Sequence, residues 1–129
     1  MDEKLRAIVE AERTRNRKAA EARAERLSRA RSEALRIAAE LARIDSRVTE
    51  VWLFGSVATG RPGRECFDID LAVRGGDIVS LYARMPESEF DVDLIDLDSV
   101  SDRFRNMVIR RGEKVYGADA VDSTGQRNT

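Results

Sequence analysis

Apolar positions in the first third of the chain recur at helical spacing. Leu27, Ala30, Ala34, Ile37, Leu41 and Ile44 follow alternating steps of three and four residues, which lines them along one side of a helix. Residues 1–46 hold neither Gly nor Pro and are rich in Ala, Arg, Glu and Leu, so one long helix is predicted across them. Before Leu27 the stripe fades. Residues 14–18 are polar, and Leu5, Ile8 and Val9 form only a small patch near the start. A helix of that length runs about 69 Å, whereas the part that follows should fold into a body roughly 30 Å across. Residues 27–44 are therefore expected to pack on that body, while the first half projects from it or meets another chain.

After Arg47 the pattern shifts to short elements. Residues 51–54 are a β-prone apolar run that stops at Gly55. A small loop over 57–66 leads to a strand over 67–73, in which Asp68 and Asp70 alternate with Ile69 and Leu71. Gly75 and Gly76 end it. Asp77 is placed to cap a short helix that buries Ile78, Leu81, Tyr82 and Met85, and Pro86 closes that helix. A strand over 90–97 follows. Asp98 or Ser101 caps the next helix, with Val100, Phe104, Met107 and Val108 on its inner side. Gly112 terminates it before a last strand over 113–116. The expected class is α+β, close to α/β: a small mixed sheet flanked by helices and preceded by a long helix. Three divisions follow: the charged helix (1–46), a core (47–117) and a flexible tail (118–129).

The chemistry concentrates between residues 51 and 73. Two residues apart on a strand, Asp68 and Asp70 project from one side of the sheet. Carboxylates held roughly 4–5 Å apart repel by about 3–4 kcal/mol at an effective dielectric near 20. A divalent cation relieves that repulsion, and hard oxygen ligands suit Mg2+ or Mn2+. Gly55 allows a sharp turn and a close ligand approach. Ser56 adds a hydroxyl and an amide where a helix could begin, a natural hold for a phosphate oxygen. Together they point to phosphoryl or nucleotidyl transfer. Taken singly, a Gly-Ser pair is more often an ordinary turn, and an alternating acidic pair more often a solvated strand face.

Composition narrows the chemistry. The chain has no histidine, so Ser-His-Asp and Cys-His catalysis and histidine-ligated zinc are excluded. The single Cys66 excludes an intrachain disulfide and cysteine-cluster metal sites. What remains is mainly carboxylates with a hard cation. The net charge of −1 gives no electrostatic argument for nucleic acid. It is divided, however: residues 1–47 carry 13 basic against 9 acidic side chains, and the remainder 10 against 15. No apolar run approaches the roughly 18 residues of a membrane span, and no signal-peptide pattern is present. No membrane association and a cytoplasmic location are the corresponding expectations. The phosphate loop GxxxxGK[ST] of common ATPases is absent.

Gly55-Ser56, an intervening loop and Asp68-Ile69-Asp70-Leu71 resemble the GS…DxD signature of the polymerase-beta-type nucleotidyltransferases, and the size resembles their minimal branch. Residues 90–97, FDVDLIDL, resemble the later strand that delivers a third carboxylate, with Asp93 at the matching position. Asp91 shares that strand face and is its rival. Residues 108–117, VIRRGEKVYG, resemble the helix end and final strand of the same branch. The chain departs from the family at Phe67, where Ser is frequent, and at Thr59, where Arg is frequent. Arg61 or Arg64 is the candidate replacement for that guanidinium in phosphate binding.

The resemblance implies a polymerase-beta-type nucleotidyltransferase fold in which Asp68, Asp70 and Asp93 are catalytic and metal-binding, and Gly55 and Ser56 hold the phosphates of a nucleoside triphosphate. It implies Mg2+ or Mn2+ as cofactor and ATP or another triphosphate as substrate. Minimal members often act as antitoxins that adenylylate a tyrosine of a HEPN-type ribonuclease, which makes such a protein the implied partner. A homodimer through the long helix is the other partner expected. The alternative function is a non-catalytic module that neutralises or scaffolds a partner through the core and that helix.

Overall fold

A computed structural model describes residues 2–60, 68–121 and 126. Arg61, Arg64, Cys66 and Phe67, singled out in the sequence, lie outside the described residues. The chain runs as α1 (Glu3–Ile44), β1 (Glu50–Phe54), α2 (Ser56–Thr59), β2 (Ile69–Arg74), α3 (Ile78–Arg84), β3 (Val92–Asp96), α4 (Asp102–Arg111) and β4 (Glu113–Tyr116). Among the described residues the strands form one mixed sheet in the order β3-β2-β1-β4. β1 runs antiparallel to β2 and β4, and β2 runs parallel to β3. The α+β class expected from the pattern is the class observed.

Helix α1 is 42 residues long, about 63 Å. Asp2 caps its start by accepting the Lys4 amide at 3.2 Å, and Asp45 closes its end with an N–H donated to the Leu41 carbonyl. The apolar stripe is buried where it was expected to be. Ala30, Ala34, Ile37, Ala38 and Leu41 are fully covered, with Leu27 and Ile44 packed against them. The alanines let the helix backbone approach the sheet, while Ile37 and Leu41 fill the space against Val51, Leu53, Ile69, Leu71 and Val73. Arg31 then ties the helix to β4 by an Nη1–Oε2 bond of 2.6 Å to Glu113. Glu33 accepts from Ser88 at 2.7 Å, and Arg36 donates to the Glu87 carbonyl at 3.0 Å, tying it also to the segment before β3. The guanidinium of Arg36, then the Ser88 hydroxyl, hold the Glu33 carboxyl down at about 2.

The first half of α1 behaves differently. Leu5 and Ile8 are 50% and 63% exposed, and no described residue before Ala30 is buried. Its ion pairs, such as Arg13 with Glu10 and Arg15 with Glu12, lie within the helix and are open to solvent, so each adds little.

The sheet is covered on both sides. α1 and α3 lie on one face, through Leu81 and Ile78 in the case of α3. α4 lies on the other, where Val108, Phe104 and Met107 pack with Trp52, Phe54, Ala72 and Ile95. The Phe54 and Phe104 rings meet edge to face with centroids 5.7 Å apart. Two residues were candidates to cap α4, and Ser101 does so, accepting the Phe104 amide at 3.2 Å. Asp98 is used elsewhere: it accepts from the Gly75 amide at 3.1 Å and pairs with Arg74.

Three expectations need correction. Tyr82 is 43% exposed and not buried, because the inner side of α3 is filled by Ile78 and Leu81. The acidic strand begins at Ile69, so Asp68 precedes it. The region after β4 is not loose from its start: Val121 donates to the Lys114 carbonyl at 2.8 Å and packs on the core.

The two halves of α1 should respond differently to truncation of a side chain. Ile37→Ala is expected to cost about 2–5 kcal/mol in urea unfolding, the usual penalty for emptying a packed site. Ile8→Ala should stay within about 0.5 kcal/mol of the parent.

Candidate active site

β2 changes character along its length. Ile69, Leu71, Ala72 and Val73 are buried, so most of the strand is apolar on both faces. Asp70 interrupts this on the α4 side, beyond the patch that α4 covers. It is only partly exposed and is flanked in register by Phe54 of β1 and Asp93 of β3. Partners in a parallel pair present their side chains to the same face. The backbone pairing therefore brings Asp70 and Asp93 side by side.

Asp68, exposed and two residues ahead of Asp70, also acts on it. Burial, then Asp93, then Asp68 push the Asp70 carboxyl above the usual carboxylate range. A nearby cation would offset that crowding. Asp91 lies just before β3 and is exposed, and its backbone carbonyl accepts the Ile69 amide at 2.9 Å. It is not among the charges that act on Asp70.

Gly55 completes the arrangement. Its φ of +78° lies where side-chain-bearing residues are rarely found, and a Cβ there would collide with Oδ2 of Asp70. Glycine is thus needed twice, for the turn and for the room that Asp70 occupies. The turn opens α2, with the Gly55 carbonyl accepting from the Thr59 amide at 3.1 Å and hydroxyl at 3.2 Å. Thr59 is thereby spent on its own turn and replaces no arginine. The Ser56 hydroxyl bonds to no other described residue. Val57 drives into the core beneath and anchors the turn.

Tyr82 belongs to this site, although the sequence placed it in the core. Its hydroxyl donates to Oδ1 of Asp93 at 3.3 Å and accepts the Leu94 amide at 3.1 Å. No periodicity could reveal this, since it depends on β3 being the sheet edge.

The donors suit a hard divalent cation: carboxylate oxygens, no histidine, and one carboxyl already disfavoured as an anion. Among the described residues, no three His, Cys, Asp or Glu side chains are gathered as a group that could hold a metal ion, so the structure pairs Asp70 with Asp93 by register but does not draw Asp68 in with them as a third ligand. The recess lined by Leu35, Val48, Val115, Tyr116 and Val121 does not include these carboxylates. No helix among the described residues is long and apolar enough to cross a membrane.

Comparison with known proteins gives a family model described as "Polymerase beta, Nucleotidyltransferase", which matches residues 36–121. Among solved structures, a toxin–antitoxin with AMP-PNP is 28% identical, with 64% of this chain and 73% of that chain covered and a TM-score of 0.50. A candidate nucleotidyltransferase from Sulfolobus solfataricus is 21% identical over 72% of this chain and 85% of that chain, with a TM-score of 0.52, a likeness of fold alone. A tri-AMPylated Shewanella oneidensis HEPN toxin in complex with MNT antitoxin gives 24% identity over 67% of this chain and 72% of that chain; its TM-score of 0.47 is too low to argue from. No match was found among curated proteins.

The crowding at Asp70 has a measurable sign. A raised carboxyl means that the charged form costs stability at neutral pH, and that this cost disappears once the group is protonated in both states. Asp70→Asn should therefore be more stable than the parent at pH 7, with the difference closing as the pH falls through the raised value toward 3.8, the ordinary value of the group, and gone below it. Urea midpoints at a series of pH values check this.

Proposed function

This chain belongs to the polymerase-beta nucleotidyltransferase family, and on that premise we propose that it transfers a nucleoside monophosphate, AMP from ATP, to a hydroxyl of a separate protein. The observation that carries the proposal is the register pairing of Asp70 with Asp93 beside the Gly55-Ser56 turn. The solved toxin–antitoxin holding AMP-PNP, an ATP analogue, supports both the nucleotide and a protein partner. The resemblance carried by the GS…DxD residues extends this to a tyrosine of a HEPN-type toxin as the acceptor, with this chain as antitoxin.

In this reading Gly55 and Ser56 present backbone N–H groups and a hydroxyl to the β- and γ-phosphates, which leaves the α-phosphorus open. Arg61 or Arg64 adds positive charge to the phosphates. Asp68, Asp70 and Asp93 would hold Mg2+ or Mn2+, which when bound neutralises phosphate charge and lowers the pKa of the attacking hydroxyl. The acceptor oxygen bonds to the α-phosphorus, pyrophosphate leaves with the broken bond's electrons, and the proton passes to Asp93. The rate gain comes from positioning and from charge stabilisation, without a covalent enzyme intermediate.

A second reading has one observation in its favour. The exposed first half of α1, with Leu5 and Ile8 open to solvent, is suited to docking a partner or a second copy, and docking alone could neutralise a toxin.

The two readings separate in one experiment. With Mg2+ and α-labelled ATP the protein should label its copurifying partner, and Asp68→Asn with Asp70→Asn should reduce labelling by at least about 100-fold. Labelling by the double variant at the parent rate would overturn the enzymatic reading. Full neutralisation of the partner in a growth assay by the double variant would favour docking.

A further inference from the structure

We propose that Tyr82 is a positioning residue that holds Asp93 in the site; the inference rests on the reading of Asp93 as a site carboxylate. β3 ends the sheet order β3-β2-β1-β4, so no strand among the described residues lies on its outer side. The Leu94 amide on that strand donates to the Tyr82 oxygen at 3.1 Å. An amide N–H only donates, so the tyrosine oxygen must accept there. Its own hydrogen is then free for Oδ1 of Asp93, 3.3 Å away. The chain of donors has a single direction, from the Leu94 backbone through the Tyr82 hydroxyl to the Asp93 carboxylate.

Asp93 needs such a hold. It is exposed, and it lies in register beside Asp70, which carries the same charge. Repulsion and hydration both favour its swinging into solvent. Among the described residues no cation pairs with it. The phenol is the group that restrains it, and the bond is long enough to leave the carboxylate some freedom to turn. Tyr82 is itself placed by α3. Asp77 caps that helix by accepting the Val79 amide, and buried Leu81 fixes its rotation on the core. Tyr82 is 43% exposed as a residue, so it owes little to packing. What it contributes is the oxygen.

The test uses the full chain with three changes: Tyr82→Phe, Asp93→Asn and the pair together. Mn2+ affinity by calorimetry, melting temperature and transfer kinetics at saturating Mg2+ are read for each. Tyr82→Phe should weaken Mn2+ binding about 10-fold, the usual size for losing a bond to a ligand's outer side. It should lower kcat by a similar factor with the nucleotide KM within about twofold, and the melting temperature should move by less than about 4 °C. In the Asp93→Asn background, Tyr82→Phe should change Mn2+ affinity by less than about twofold, because it acts through that carboxylate.

Unchanged affinity in the single variant, an equal loss in the Asp93→Asn background, or a much lower melting temperature would each overturn the proposal. Absence of transfer by the parent would count against the proposed reaction only, since the Mn2+ comparison needs no turnover.

Discussion

The parallel register between β2 and β3 is the constraint on which the site depends. It pairs Asp70 with Asp93, Leu71 with Leu94 and Ala72 with Ile95. Side chains alternate strictly along a strand, so a slip of one residue would send Asp93 to the opposite face. The apolar partners prevent that slip. Leu71 and Leu94 are buried toward α1 and α3, while Ala72 is buried with partly buried Ile95 under α4. Both faces of the strand pair are thus specified by packing. Asp70 and Asp93 lie on the α4 side at the end of the strands beyond Ala72 and Ile95.

This arrangement sets an apolar core against a polar exception. Among the described residues no polar or charged residue is fully buried, and no buried side-chain polar atom lacks a partner. Ion pairs such as Arg31 with Glu113 remain partly solvated and join elements at the margin of the core. Asp70 is the group whose surroundings work against it. It is flanked by like charges and pressed against the Gly55 backbone. A cation bound under the function proposed above would relieve that crowding.

Much of this was legible because it depends on local periodicity. The three-and-four spacing from Leu27 to Ile44 gave the packed half of α1, and the absence of glycine and proline gave its length. Gly55, Asp77 and Gly112 act at ends of elements, where glycine and short acidic side chains have few competing uses. Features that depend on the sheet order leave no local periodicity in the sequence. Tyr82 has helical spacing with Ile78, which predicts a core position, yet it turns to the sheet edge, where the Leu94 amide needs an acceptor. Asp98 and Ser101 were equal as caps until Arg74 and Gly75 came near enough to occupy Asp98. Asp91 and Asp93 share a strand period, and only the pairing with β2 separates their neighbours.

The most direct test of the central claim is anomalous diffraction from crystals grown with Mn2+ and a non-hydrolysable ATP analogue. The account requires a manganese peak coordinated by Asp70 and Asp93, with the analogue's phosphates against the Gly55-Ser56 turn. Manganese held by Asp91 in place of Asp93, or bound only away from Asp70, would contradict it.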